Sequence, residues 1–356
     1  MASSADPSLF FKRSGRAHVV VLLYVDDMTI TGNDDAEIAR LQDDMSVRFE
    51  MKKLGEFNHF LSLEVERVKD GIFIGQQGYA KRIVDRFGVH QGKVRSTPLD
   101  TNIRLKRDEG SLLANPRPYR SLVGSLLYLT ITGPDIAFAV DLVSRLMQEP
   151  RKPHLEAAKK ILKYVKSTLG MGLMYKYKAK GSLHGFTDAD FGGDLDNRKS
   201  TSGFVFLCGD TSISWCSKKQ ATVSLFTTEA EYKASTLAAQ ECIWLRRLFE
   251  DLFEPINKSI TIYGDNQSAI KLASVPVFHG RTKHTELEHH FIREKVLDGT
   301  IEALEVRSED NIADIFTKSL PKGHWRFEAS IEVKLDFGLS LIMGSNNLIC
   351  LNPKLS

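Results

Sequence analysis

The feature that most constrains this chain is a recurring pairing of an apolar strand-like run with an acid that is costly to bury. In VVVLLYVDDMTITG, six of the seven residues before Asp26 are aliphatic, and Asp26 and Asp27 follow side by side. GFTDAD sets Asp188 between Phe186 and Phe191, and ITIYGD runs into Asp265. Runs of this kind read as strands. A lone carboxylate in or at the end of one must be paired, hydrogen-bonded or bound to metal. Each acid also has a plain alternative. Asp26 and Asp27 make a hairpin turn, which Asp tolerates, although the turn lacks the usual Gly or Asn. Asp188 and Asp265 serve as strand-end caps, Glu231 is a solvated helix residue, and Asp314 is half of a surface ion pair.

A chain of 356 residues exceeds what one core organises, so two or three domains are expected. Hydrophobic content of 42% with 26% charged residues is that of a globular protein. No apolar run reaches membrane-helix length and no signal segment opens the chain, so the expectation is a cytoplasmic or nuclear protein, not secreted and with no membrane partner. Cys208, Cys216, Cys242 and Cys350 lack the close spacing of zinc sites and read as reduced packing residues. A net charge of +3 neither demands nor excludes nucleic acid, so any basic surface must be local.

Periodicity divides the chain near its middle. Asp34 or Asp35 caps a helix with Ile38, Leu41, Met45 and Phe49 on one face; strands follow around 61–66 and 72–74, then a helix carrying Tyr79, Ile83, Val84 and Phe87. Residues 88–118 read as an extended connection, and 119–132, 135–147 and 153–166 as helices. Asp135 stands at an N-cap position and Pro153 in a first turn. Residues 170–181 read as a linker. Beyond it the order changes to strands at 183–190, 203–208 and 212–216, a long helix 228–251, a strand 260–264, helices to about 296, a strand 301–306 and a last helix from 311. That order predicts a mixed sheet covered by helices.

Five blocks in this half, GFTDADFGGDLDNRKSTSGFVF, ISWCSKKQATVSLFTTEAEYKAST, ITIYGDNQSAIKLA, VFHGRTKHTELEHHFIREKV and NIADIFTKSLP, resemble the ribonuclease H domain of copia-type LTR retrotransposons. Upstream, LLYVDDMTITG, YRSLVGSLLYLT and PDIAFAV resemble the C-terminal half of the same elements' reverse transcriptase. The resemblance spans roughly residues 7–322. It implies an α/β and α+β architecture: a truncated palm and thumb-like region (1–117), a helical connection (118–182), a ribonuclease H-like mixed-sheet domain (183–322) and a divergent tail (323–356). Tyr24, Val25, Asp26 and Asp27 match the polymerase palm motif. A polymerase of this family needs a third carboxylate and fingers from further upstream, so the expectation is no polymerisation by this chain alone.

By the same resemblance Asp188, Glu231, Asp265 and Asp314 form the catalytic, metal-holding set, with Glu229 and Asp190 as close decoys. Four carboxylates at one sheet end suit two Mg²⁺ ions, or Mn²⁺, clamping the attacking water and the leaving 3′ oxygen of a phosphodiester. The implied substrate is the RNA strand of an RNA/DNA hybrid, recognised through 2′-hydroxyls. Thr227, Thr228, Asn266 and Gln267 are candidate sugar contacts, with helix capping the alternative for Thr227 and Asn266. Arg198, Lys199, Lys218, Lys219, Arg281 and Lys283 are candidate phosphate contacts, though surface lysines are commonly just solvated. His279, His284, His289 and His290 crowd together without a finger spacing or a cysteine, which favours a structural or phosphate-facing role over zinc. The family's histidine-bearing loop before the last acid is absent from EVRSEDNIAD. Other Pol-derived chains are candidate partners. The competing readings are a catalytically silent retroelement remnant and a nucleic-acid-binding accessory subunit of a polymerase.

Overall fold

The computed structural model describes residues 1–25, 27–49, 51–56, 58–88, 95–101, 103–177, 182–275, 286–319 and 349–353. Strands β1 (Leu9–Ser14), β2 (Ala17–Tyr24) and β3 (Asp27–Gly32) form an antiparallel meander. Helix α1 (Asp35–Phe49) seals it by packing Ile38 with Val19, Met28 and Ile30, and Asp34 caps it, its Oδ1 accepting from Glu37 N at 3.1 Å. Strand β4 (Met51–Glu56) joins this sheet through the last described strand, β14 (Ile349–Pro353), which lies antiparallel between β3 and β4.

A second sheet runs β5 (His59–Phe60), β6 (Leu63–Val68), β7 (Gly71–Gly75) and β8 (Gly172–Lys176). Its last strand corrects the reading of 170–181 as a linker. Leu173 and Tyr175 are buried at alternate positions, and β8 pairs antiparallel with β7, about a hundred residues upstream. The linker reading failed because a strand whose partner is that remote leaves no local turn signal. Between β7 and β8 run α2 (Gln77–Arg86), α3 (Arg117–Leu129), α4 (Ala137–Ser144) and α5 (Lys152–Ser167), with Ile83, Tyr119, Leu122, Leu126, Val140, Ile161 and Leu162 in one core. Asp135 is not the expected N-cap. It sits within the 3-10 turn Pro134–Ile136, buried, and accepts from Tyr164 Oη at 2.7 Å. The helix begins after it because that carboxylate is drawn inward by the phenol.

The third sheet holds β9 (Leu183–Asp190), β10 (Thr201–Cys208), β11 (Thr211–Lys219), β12 (Ile260–Gly264) and β13 (Ile301–Glu305) in the order β11-β10-β9-β12-β13. β9 is antiparallel to β10 and parallel to β12, which is parallel to β13. Helix α6 (Thr227–Asp251) covers the sheet together with α7 (Gln267–Ser274) and α8 (Glu286–Leu297). The last helix expected from 311 is a 3-10 turn, Ile312–Phe316, too short to gain α-helical cooperativity. One apolar core unites Leu183, Phe206, Tyr232, Cys242, Ile262 and Ile301 of this unit with Phe60, Val65, Ile72, Ile74, Leu173 and Tyr175 of the second sheet. Cys208 and Cys242 are buried and Cys216 is half-buried. Among the described residues no helix is long and apolar enough to cross a membrane.

Close approach at one glycine fixes where the 3-10 turn lies. Gly203 of β10 stands opposite Asp188, and a Cβ there would meet Phe316 Cβ at 2.7 Å and Thr317 Cγ2 at 2.8 Å. Gly203→Ala is therefore expected to push the turn off the sheet and destabilise the protein by about 1–3 kcal/mol, as overpacking does. Thermal unfolding measures this; an unchanged melting temperature would show that the turn is not anchored at Gly203.

Candidate active site

Register brings two of the acids together. Ile262 pairs with Gly185 and Tyr263 with Phe186 in the parallel β12–β9 ladder, so two residues further along both strands Asp265 lies beside Asp188. Glu231 arrives from above. Ala230 and Ala234 of α6 pack on Ala189 of β9, and these small side chains let the helix lie close enough for Glu231 to reach the strand. Carboxylate oxygens of Asp188, Glu231 and Asp265 then lie within 4.8 Å of one another. Asp188 is 1% exposed, while Glu231 and Asp265 are half-buried. Ser308 Oγ donates to Asp265 Oδ2 at 2.6 Å and Thr317 Oγ1 donates to Asp188 Oδ2, which orient the two aspartates.

Asp314, on the 3-10 turn, lies near Asp188 but outside this triad. Lys318 joins them, its Nζ 3.0 Å from Asp314 Oδ1 and 3.3 Å from Asp188 Oδ2. The electrostatics follow from crowding like charges away from water. Burial, with Asp188 and Asp265 adding repulsion, pushes Glu231 up to about 9. Burial and Asp188 push Asp314 up to about 6, against the pull of Lys318. For Lys318 burial alone would lower the pKa, yet Asp188 and Asp314 outweigh it and hold the ammonium charged. All the donors in the triad are hard carboxylate oxygens, the donor set that Mg²⁺ or Mn²⁺ prefers. The residues present thus fit a divalent ion.

The two decoys sit elsewhere. Glu229 pairs with Lys233 at 2.7 Å and accepts from Leu225 N at 2.8 Å, so it closes the start of α6. Asp190 is half-buried one step beyond the triad, its pKa raised by burial, and lines a groove with Arg104, Arg145 and Lys318. Of the proposed sugar contacts, Asn266 does cap α7, its Oδ1 accepting from Ala269 N at 3.0 Å. Gln267 Nε2 donates to Glu305 Oε1 at 2.7 Å. Thr227 is exposed and Thr228 half-buried in the first turn of α6, where neither makes a side-chain cap. Among the basic candidates Lys219 pairs with Asp194 at 2.7 Å and Lys199 Nζ donates to Ala221 O. Arg198 and Lys218 are exposed. Arg281, Lys283, His279 and His284 lie outside the described residues, as do the side chains of His289 and His290.

Lys318, Thr317 and Ser308 were missed by sequence reasoning. The spacing of Lys318 four residues after Asp314 was the available signal, but a 3-10 turn does not obey helical spacing. In the first sheet, Tyr24 pairs with Asp27 across a two-residue turn in which Val25 has φ +51° and is exposed. A β-branched residue in the left-handed region is strained by ~1–3 kcal/mol, an outlier of the sort found at functional sites. Asp26 itself lies outside the described residues.

The reverse transcriptase (RNA-dependent DNA polymerase) family matches residues 2–101. The retrovirus-related Pol polyprotein from transposon TNT 1-94 of Nicotiana tabacum is 41% identical over 340 residues, covering 92% of this chain and 25% of that protein. The chain therefore spans about a quarter of that relative's length. A putative transposon Ty5-1 protein of Saccharomyces cerevisiae is 31% identical over 236 residues, covering 65% of this chain and 77% of that protein. Among solved structures, LC11-RNase H1 in complex with an RNA/DNA hybrid aligns with 38% of this chain and 94% of its own, at 12% identity and a TM-score of 0.30. The identity sustained across these transposon proteins, together with the reverse transcriptase match, shows that the chain belongs to the Pol polyprotein family of copia-type LTR retrotransposons.

Proposed function

We propose that this protein hydrolyses the RNA strand of RNA/DNA hybrids in a divalent-metal-dependent reaction. The observation that carries the reading is the convergence of Asp188, Glu231 and Asp265 from β9, α6 and the end of β12 to within 4.8 Å. Rigid elements hold each side chain, as a site of fixed geometry requires. Divalent ions bound there would supply a Lewis acid for the phosphodiester and lower the pKa of water. Asp188, Glu231 and Asp265 would hold the first ion, and Asp314 would help to hold a second. In the reaction the water oxygen bonds to phosphorus, the P–O3′ bond breaks, and the products are a 3′-hydroxyl and a 5′-phosphate. Ser308 and Thr317 keep the carboxylate oxygens of Asp265 and Asp188 turned toward the cluster. With the Asn266 carbonyl committed to its helix cap, its amide N–H groups remain to meet a ribose 2′-hydroxyl.

Cleavage of a labelled hybrid in Mg²⁺ and in Mn²⁺ by wild type, Asp188→Asn and Asp265→Asn decides the proposal. Each variant is expected to lose more than the roughly 100-fold that removal of an outer-shell partner costs. Equal rates in all three, or none in the wild type, would favour the silent-remnant reading.

The raised pKa of Glu231 gives two further expectations. In the metal-free protein its carboxyl is protonated at neutral pH, so metal binding must release a proton. The thermal stabilisation by Mn²⁺ should accordingly be larger at about pH 8.5 than at about pH 6. An acid whose folded pKa lies above its unfolded value of 4.5 destabilises the fold progressively as pH rises from there toward about 9. Glu231→Gln should then melt higher than wild type at alkaline pH without metal, by about 3 °C for each kcal/mol relieved. A lower melting temperature for Glu231→Gln would mean that the carboxylate is not repelled by its neighbours.

A further inference from the structure

Lys318 is the one feature of the acid cluster that the proposed hydrolysis does not itself require. Its backbone N donates to Asp314 O at 2.9 Å, which fixes the root of the side chain against the 3-10 turn. From there Nζ lies 3.0 Å from Asp314 Oδ1 and 3.3 Å and 3.4 Å from the two oxygens of Asp188. The ammonium thus stands between the carboxylates of Asp188 and Asp314. Two divalent ions and this ammonium would set five positive charges against four carboxylates, an excess that a substrate phosphate would cancel.

We infer that Lys318 is a tethered cation that occupies the Asp188–Asp314 side of the cluster, so that without nucleic acid one divalent ion binds tightly at Asp188, Glu231 and Asp265 and a second enters only by displacing the ammonium. The inference rests on the metal-dependent reading above. Lys318 acts through the carboxylates, which makes it a positioning residue. Its consequence is order: the triad fills first, and the second ion arrives with the phosphate that offsets the added charge. Opposite charges within 4 Å in a partly buried site are coupled strongly enough to set such an order.

Titration of this 356-residue chain with Mn²⁺ in the absence of nucleic acid, followed by calorimetry and by electron paramagnetic resonance of free Mn²⁺, tests this. Wild type should bind one ion, with a second at least about tenfold weaker, an ordinary coupling between sites. Lys318→Gln should tighten the second ion by about tenfold, and Lys318→Arg, which keeps the charge, should restore the wild-type pattern. Should Lys318→Gln fail to fold, Asp314→Asn serves instead, and is expected to weaken the second ion while leaving the first unchanged. Identical stoichiometry and affinities in wild type and Lys318→Gln, or two equally tight ions in wild type, would overturn the inference while leaving the metal site intact. A wild type that binds no ion would overturn the metal reading itself.

Discussion

The contact on which the site depends is apolar and small. Ala189 on β9 meets Ala230 and Ala234 on α6. A helix packed on a sheet through bulkier side chains would stand further off, and Glu231 would then fall short of Asp188. The parallel register of β9 and β12 does the remaining work, because it places Asp188 and Asp265 at one end of adjacent strands. Backbone geometry and three methyl groups thus assemble a charge cluster that the side chains themselves oppose.

That opposition is visible in the protonation of the cluster. Glu231 and Asp314 are both held above their ordinary range, first by burial and then by neighbouring acids. The fold tolerates this because other groups offset part of the repulsion: Lys318 between Asp188 and Asp314, Thr317 on Asp188, and Ser308 on Asp265. All three offsetting residues come from the segment 308–318, after the last strand of the third sheet. Gly203 admits that segment onto the sheet. Destabilised sites of this kind are commonly the working parts of a protein, since stability and function compete for the same groups.

Much of the third sheet was legible in the sequence because its strands are apolar runs bounded by acids and glycines, and α6 is long enough to declare its period. Asp188 and Asp265 were legible for the same reason, each being anomalous at an apolar strand, whereas Glu231 and Asp314 stood out only through the family resemblance. What stayed hidden was set by distance along the chain. β8 pairs with a strand about a hundred residues earlier, so 170–181 carried no local sign of its pairing. Asp135 looked like a helix cap because its partner, Tyr164, is 29 residues away. Lys318 was hidden because only the packing of the 3-10 turn on β10 turns it toward Asp188.

The same helix that presents Glu231 also ties the third sheet to the first. Glu231 lies in the second turn of α6, whose 25 residues extend about 37 Å at 1.5 Å each. Near its other end Trp244 Nε1 donates to Ala5 O at 2.9 Å, and Asp251 Oδ2 accepts from Ser3 Oγ at 2.5 Å. Leu252 packs with Leu9 and Val20, and the Phe253 ring meets Phe11 edge-on at 5.4 Å. The hairpin bearing the strained Val25 turn springs from this anchored sheet. A continuous helix transmits position without bending sharply unless Pro or a bulge interrupts it, and α6 contains no proline. That turn and the acid cluster are therefore linked through a continuous helix, in addition to the packing of Leu22 of β2 on the core shared by the second and third sheets.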